Sequence, residues 1–122
     1  FPDELERTKP YNYSLFNLEG YAVLAAIAST ANDQLWDYET PKGSLKKAID
    51  FMVPFMKDQS TWPYTKDVQH FDELPIQSAG LFMASKGYEE SSYLDIWRKL
   101  PKERKSKEID RTYPIRQLYL WQ

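Results

Sequence analysis

From Tyr13 to about Thr30 the chain is apolar on nearly every side of a helix. Leu15, Leu18, Ala22, Ala25 and Ala26 fall on one face, and Phe16, Val23 and Ile27 cover another. A helix with so little polar surface must be covered by other elements. Its densest apolar stretch, Tyr21 to Ala28, is far short of the roughly 20 residues a membrane span needs, so the cover has to be protein. In a chain of 122 residues that demands nearly all the remaining helices, or helices from outside. Residue 1 is Phe, and Phe1-Pro2-Asp3-Glu4-Leu5 does not read as a signal peptide. Residues 1–122 are therefore expected to form a single helical unit that is part of a larger domain.

Three further helices are expected. Pro10 ends an extended lead-in, since the residue before a proline avoids helix, and Asn12 is a candidate N-cap for the first helix. Asn32 and Asp33 break that helix, Leu35 to Glu39 reads as a loop, and Pro41-Lys42-Gly43 is turn chemistry. Ser44 can cap a second helix with the stripe Leu45, Ala48, Ile49, Met52, Val53 and Met56, which Pro54 should kink or end. A third is expected over about 72–85, with Pro75 in its first turn and Gly87 as its stop. A fourth, about 90–99, buries Tyr93, Ile96, Trp97 and Leu100, and Pro101 stops it. Residues 101–122 read as an irregular tail. The fold class expected is all-α, with antiparallel helix pairs as in bundles, solenoids or α/α toroids.

Composition removes several chemistries. The chain has no cysteine, which excludes a disulfide scaffold, a Cys-ligated zinc site and a thiol nucleophile. One histidine, His70, argues against a multi-histidine metal site or a Ser/His/Asp triad. No cofactor is expected. The formal charge of −2 hides an asymmetry: residues 1–97 carry 8 basic and 15 acidic side chains, and residues 98–122 carry 8 basic and 3 acidic. The run Arg98 to Lys107 invites a nucleic-acid reading, but no aromatic interleaves it and Glu103 interrupts it. A solvated connection is the first expectation and an approach surface for an anionic polysaccharide the second.

The segment Glu4 to Leu18 offers the most chemistry. It places Arg7, Lys9, Tyr11 and Tyr13 just ahead of, or in, the first turn of a helix. The positive end of the helix dipole and a nearby guanidinium both favour negative charge on a phenol. Spacing alone favours the plainer reading, with Tyr13 as a core aromatic and Arg7 as a solvated partner of Glu4 or Glu6.

The stretch Glu4-Leu-Glu-Arg-Thr-Lys-Pro-Tyr-Asn-Tyr-Ser-Leu-Phe-Asn-Leu18 resembles alginate lyases of the α/α-toroid type. The likeness continues through Leu35 to Pro41, Ser44 to Phe51 and Trp62-Pro63-Tyr64. It implies a C-terminal portion of a larger α/α-toroid lyase domain that cleaves alginate or a related polyuronate by β-elimination. Tyr13 matches the family's tyrosine acid/base and Arg7 its arginine. Lys9, Tyr11, Trp62 and Tyr64 are the expected substrate-binding residues. The expected partners are an anionic polysaccharide and the rest of the same enzyme, with no nucleic acid and no membrane, in a periplasmic or secreted location. The family's carboxylate neutralisers, an Asn and a His, normally lie upstream and have no counterpart here. His70 does not match their context, and Asn12 stands where many relatives have His. A non-catalytic carbohydrate-binding module is the alternative, and a hydrolase using Asp37 or Glu39 a third.

Overall fold

The computed structural model describes residues 1–121, without the side chains of Tyr119 and Trp121. Six helices form the body: α1 (Pro2–Leu5), α2 (Pro10–Ala28), α3 (Leu45–Lys57), α4 (Ala79–Gly87), α5 (Ser91–Lys99) and α6 (Lys107–Thr112). A two-residue hairpin, β1 (Glu39–Thr40) with β2 (Gly43–Ser44), pairs antiparallel around Pro41-Lys42, and Gly43 supplies a positive φ of 143°. No helix among the described residues is long and apolar enough to cross a membrane.

Helix α2 is the central element. It starts at Pro10, not after Asn12, because proline suits the first helical position, where its missing N–H costs nothing. Its inner face buries Leu15, Leu18, Ala22 and Ala25 against α4 and α3. Contrary to the expectation of burial all round, Phe16, Tyr21, Leu24 and Ile27 are each more than half exposed. The described residues cover one side of this helix only.

Ser44 caps α3 as expected, its Oγ accepting from Lys47 N at 3.1 Å. The helix runs on through Pro54 to Lys57, with Pro54 exposed and Met56 buried in the core. Tyr93 ties α5 to α3: its hydroxyl donates to Asp50 and accepts from Lys46 Nζ at 2.9 Å.

The third helix starts later than expected. Phe71–Glu73 form a 3-10 turn, the Leu74–Pro75 bond is cis, and α4 opens only at Ala79. Residues 74–78 form a non-helical span, tied by Gln77 N to Pro101 O at 2.8 Å and by Gln77 Nε2 to Arg98 O at 3.2 Å. Leu74 and Ile76 are buried on the way. Helix α4, buried from Ala79 to Ser85, forms a hairpin with α5 through Tyr88–Glu90.

Gly87 does more than stop α4. A Cβ built there would lie 2.1 Å from Trp36 Cε2, so the buried indole rests on bare backbone. Gly87→Ala is expected to cost about 1–3 kcal/mol by overpacking, read from urea unfolding. A loss under about 0.5 kcal/mol would show that the indole moves aside freely.

The tail is ordered where an irregular segment is expected. Ser106 Oγ accepts from Ile109 N at 3.3 Å to cap α6, and acidic Glu108 and Asp110 sit in the first turn. Ile109 and Tyr113 are buried. The Tyr113 hydroxyl donates to Asn12 Oδ1 at 2.7 Å and so binds the tail to the start of α2. Gln122, the last residue of that expected tail, lies outside the described residues.

Candidate functional site

The start of α2 is capped from a distance. Asp67 is buried, and its two carboxylate oxygens accept from Tyr11 N at 2.8 Å and Asn12 N at 2.9 Å. Burial pushes its carboxyl upward, against the pull of those two N–H groups and of Lys9. Asp67→Ala leaves two N–H groups without partners and removes an anion from the positive end of the helix. The expected cost is about 2–3 kcal/mol, with Asp67→Asn intermediate. Equal unfolding midpoints for all three proteins would remove Asp67 as the fastener of this end.

That cap fixes which way each tyrosine points. Tyr11 and Tyr13 are two residues apart and lie about 200° apart around the helix, so they face opposite sides. Tyr11 is fully buried. Its hydroxyl donates to Phe55 O at 2.8 Å, and its ring packs edge-on against Trp62 and Phe71 at 5.1 and 5.4 Å between centroids. Burial, then the Asp67 charge, pushes its phenol well above the usual tyrosine range. The expected substrate-binding role for Tyr11 is therefore replaced by a core role. Trp62 is corrected in the same way: it is buried, its Nε1 donates to Thr65 O at 3.1 Å, and Tyr11, Phe55 and Tyr64 pack around its ring. Tyr64 is exposed but rests on Trp62 and Phe51, apart from Tyr13.

Tyr13 stands half-buried at the junction of two surface grooves. One is lined by Glu4, Arg7, Tyr13, Phe16, Asn17 and Tyr21 among others; the second by Lys9, Asn12, Tyr13, Glu108, Arg111 and Pro114 among others. The Arg7 Cζ lies 4.0 Å from the Tyr13 ring centroid, so the guanidinium is stacked on the ring face. Glu4 holds this arrangement within the same groove, pairing with Arg7 at 3.8 Å and accepting from Asn17 Nδ2 at 3.3 Å. Lys9 reaches the other groove and pairs with Glu108 at 3.9 Å.

The structure thus brings Arg7, Lys9 and Tyr13 together and leaves Tyr11, Trp62 and Tyr64 elsewhere. Two residues absent from the sequence reading line the same grooves. Asn17, one helical turn after Tyr13, had a legible signal in its i+4 spacing. Arg111 had none, because only the docking of α6 places it there. His70, in a left-handed conformation with φ 62°, pairs with Glu73 and lies 3.5 Å from Ser106 Oγ, away from Tyr13. Glu39 is exposed and paired with Lys47. Among the described residues no group of three or more His, Cys, Asp or Glu could hold a metal ion.

Together these features define an all-α unit of helix pairs with a cation-backed tyrosine on an open groove. The profile of the alginate lyase family matches residues 1–62, just over half of the chain. The chain belongs to the alginate lyase family. It is similar to the crystal structure of an alginate lyase from Bacteroides ovatus, with 28% sequence identity and a TM-score of 0.67 over 94% of this chain. It spans 31% of that protein's chain. No curated protein matches it.

Proposed function

We propose that this chain is the C-terminal part of a polysaccharide lyase domain that cleaves alginate or a related polyuronate by β-elimination. The observation that carries the reading is the Arg7 guanidinium stacked on Tyr13 beside an open groove, inside the segment that matches the family. The open apolar face of α2 and the match to only 31% of the Bacteroides protein support a unit that others complete.

In this reaction the uronate C5 proton lies α to a carboxylate. Donors that neutralise the carboxylate stabilise the enolate-like charge of the transition state. Tyr13 takes the C5 proton, the C4=C5 double bond forms, and the C4–O4 bond breaks. The tyrosine hydroxyl then returns a proton to the leaving O4. Arg7 supplies a positive charge against the face of the Tyr13 ring. Lys9 and Arg111 offer cations to the flanking carboxylates. Such a substrate is met outside the cytoplasm, so a periplasmic or secreted location belongs to the same reading.

The test is to incubate the intact protein with polymannuronate, polyguluronate and glucuronan. Growth of ultraviolet absorbance from 4,5-unsaturated ends on one polymer supports the reading. Absence of the chromophore with all three, or new reducing ends without it, rejects it. One observation favours a second reading, a carbohydrate-binding module without catalysis: the groove-lining residues around Tyr13 include no histidine. Retardation in an alginate-containing gel with no product would select that reading.

A further inference from the structure

One of the two grooves at Tyr13 is bounded by α6, and the same helix borders a further groove. There Lys102, Arg104, Lys105, Lys107 and Arg116 surround a single acidic residue, Asp110, which pairs with Arg104 at 3.9 Å and with Arg116, leaving the three lysines as the groove's unpaired cations among the described residues. Arg104 is built in: it is only 13% exposed, Nε donates to Tyr113 O at 3.2 Å, and Nη2 donates to Ile115 O at 3.4 Å. Its charge is therefore held at the groove and does not sweep through solvent. Lys102, Lys105 and Lys107 are exposed around it.

The two grooves are linked across the helix. Arg111 lines the Tyr13 groove, Lys107 lines the basic one, and a separation of four residues makes them neighbours on the helix surface. Lys107 thus extends the basic groove towards Arg111, which pairs with Glu108 on the Tyr13 side. This matches the charge asymmetry of the chain, in which residues 1–97 are acidic and residues 98–122 are basic.

We propose that the groove of Lys102, Arg104, Lys105, Lys107 and Arg116 is an accessory polyanion site. It holds a stretch of the same anionic polysaccharide chain, several sugars away from the one at Tyr13. The class of ligand rests on the polyuronate reading above. One observation favours a polysaccharide over a nucleic acid: no aromatic side chain lines the groove to stack on a base. Attraction here acts on affinity for long chains and on capture, with a steep dependence on salt.

The experiment is calorimetric titration of the intact protein and its Lys105→Gln/Lys107→Gln variant at low ionic strength. The ligands are a mannuronate disaccharide, a mannuronate dodecasaccharide and a single-stranded oligonucleotide of matching charge. Loss of two exposed cations is expected to weaken dodecasaccharide binding about tenfold, leave disaccharide binding unchanged and flatten the salt dependence. Equal dodecasaccharide affinity in both proteins overturns the proposal, as does failure of the wild type to bind the dodecasaccharide. An oligonucleotide that binds as tightly, with the same loss, also overturns it by making the site a general polyanion reader. The lyase reading is scored separately by the ultraviolet product. Product with no effect of the lysine changes sinks only the accessory site, and chain-length-dependent binding without product sinks only the lyase.

Discussion

Tyr13→Phe is expected to lower the rate of unsaturated uronate formation by about 10²–10⁴-fold, the usual worth of a positioned acid/base. The substitution removes one oxygen and keeps the ring. The Arg7 stack at 4.0 Å from the centroid is thus retained, as are Glu4 and Asn17 beside it. Lys9, Arg111 and the groove walls are untouched, so affinity for the proposed oligouronate ligands should change little. The variant therefore separates chemistry from assembly of the groove: turnover falls while affinity and unfolding midpoint stay near wild type. A rate within a few-fold of wild type would remove Tyr13 from the reaction and leave Arg7 as a packing partner of an ordinary surface tyrosine. Tyr11→Phe is the natural control. It deletes the buried bond to Phe55 O and should cost about 1–3 kcal/mol of stability, with no specific effect on the chemistry of folded protein.

Stability is expected to fall as pH rises from about 4.5 to about 7, because of Glu19. This carboxyl lies on the inner face of α2 at the start of α4. The approach there is so close that a Cβ on Gly80 would lie 3.1 Å from the Glu19 Cα. Burial raises its pKa from 4.5 to about 7. The Ser78 hydroxyl, the backbone N–H groups of Ala79 and Gly80, and the charge of Arg104 pull the other way without overcoming it. Its Oε2 has no hydrogen-bond partner among the described residues.

A carboxyl that holds its proton more tightly when folded contributes stability that is fully present below about pH 4.5. That contribution is lost as pH passes about 7. The difference is about 3 kcal/mol on the scale of 1.36 kcal/mol per pH unit. Glu19→Gln should remove that slope while keeping shape, so wild type loses about 3 kcal/mol more than the variant across this range. Unfolding free energies from urea melts at each pH measure this. Parallel pH profiles for the two proteins would mean that Glu19 is ionised in the folded state at no cost, contrary to its burial.

Sequence signals are legible where the physics is local. The Ser44 cap, the period of α3, the Pro41-Lys42-Gly43 turn, the helix from Ser91 to Lys99 and the stop at Gly87 all depend on residues within a few positions of one another. The segment Glu4 to Leu18 also carried Arg7 and Tyr13 openly, since the two are joined by a short run of chain. Errors arose where the partner is remote. Asn12 reads as a cap because nothing nearby announces Asp67, 55 residues away, which takes that task. Residues 74–78 read as helix because the bonds to Arg98 and Pro101 that tie them down lie beyond any local window. Tyr11 and Trp62 read as sugar-binding aromatics because sequence reports their type and not the side to which they turn.

The order of residues alone therefore determined that this chain is helical, which helix needs the most cover, and which tyrosine and arginine stand together. Those follow from periodicity, capping and short-range spacing. Tertiary structure decided which half of α2 is covered, that Asp67 and Glu19 serve helix ends far along the chain, and that α6 brings Arg111 beside Tyr13 and borders a basic groove. The physical reason is that burial and long-range pairing depend on the path of the chain through space, and few sequence signals point across 50 or more residues.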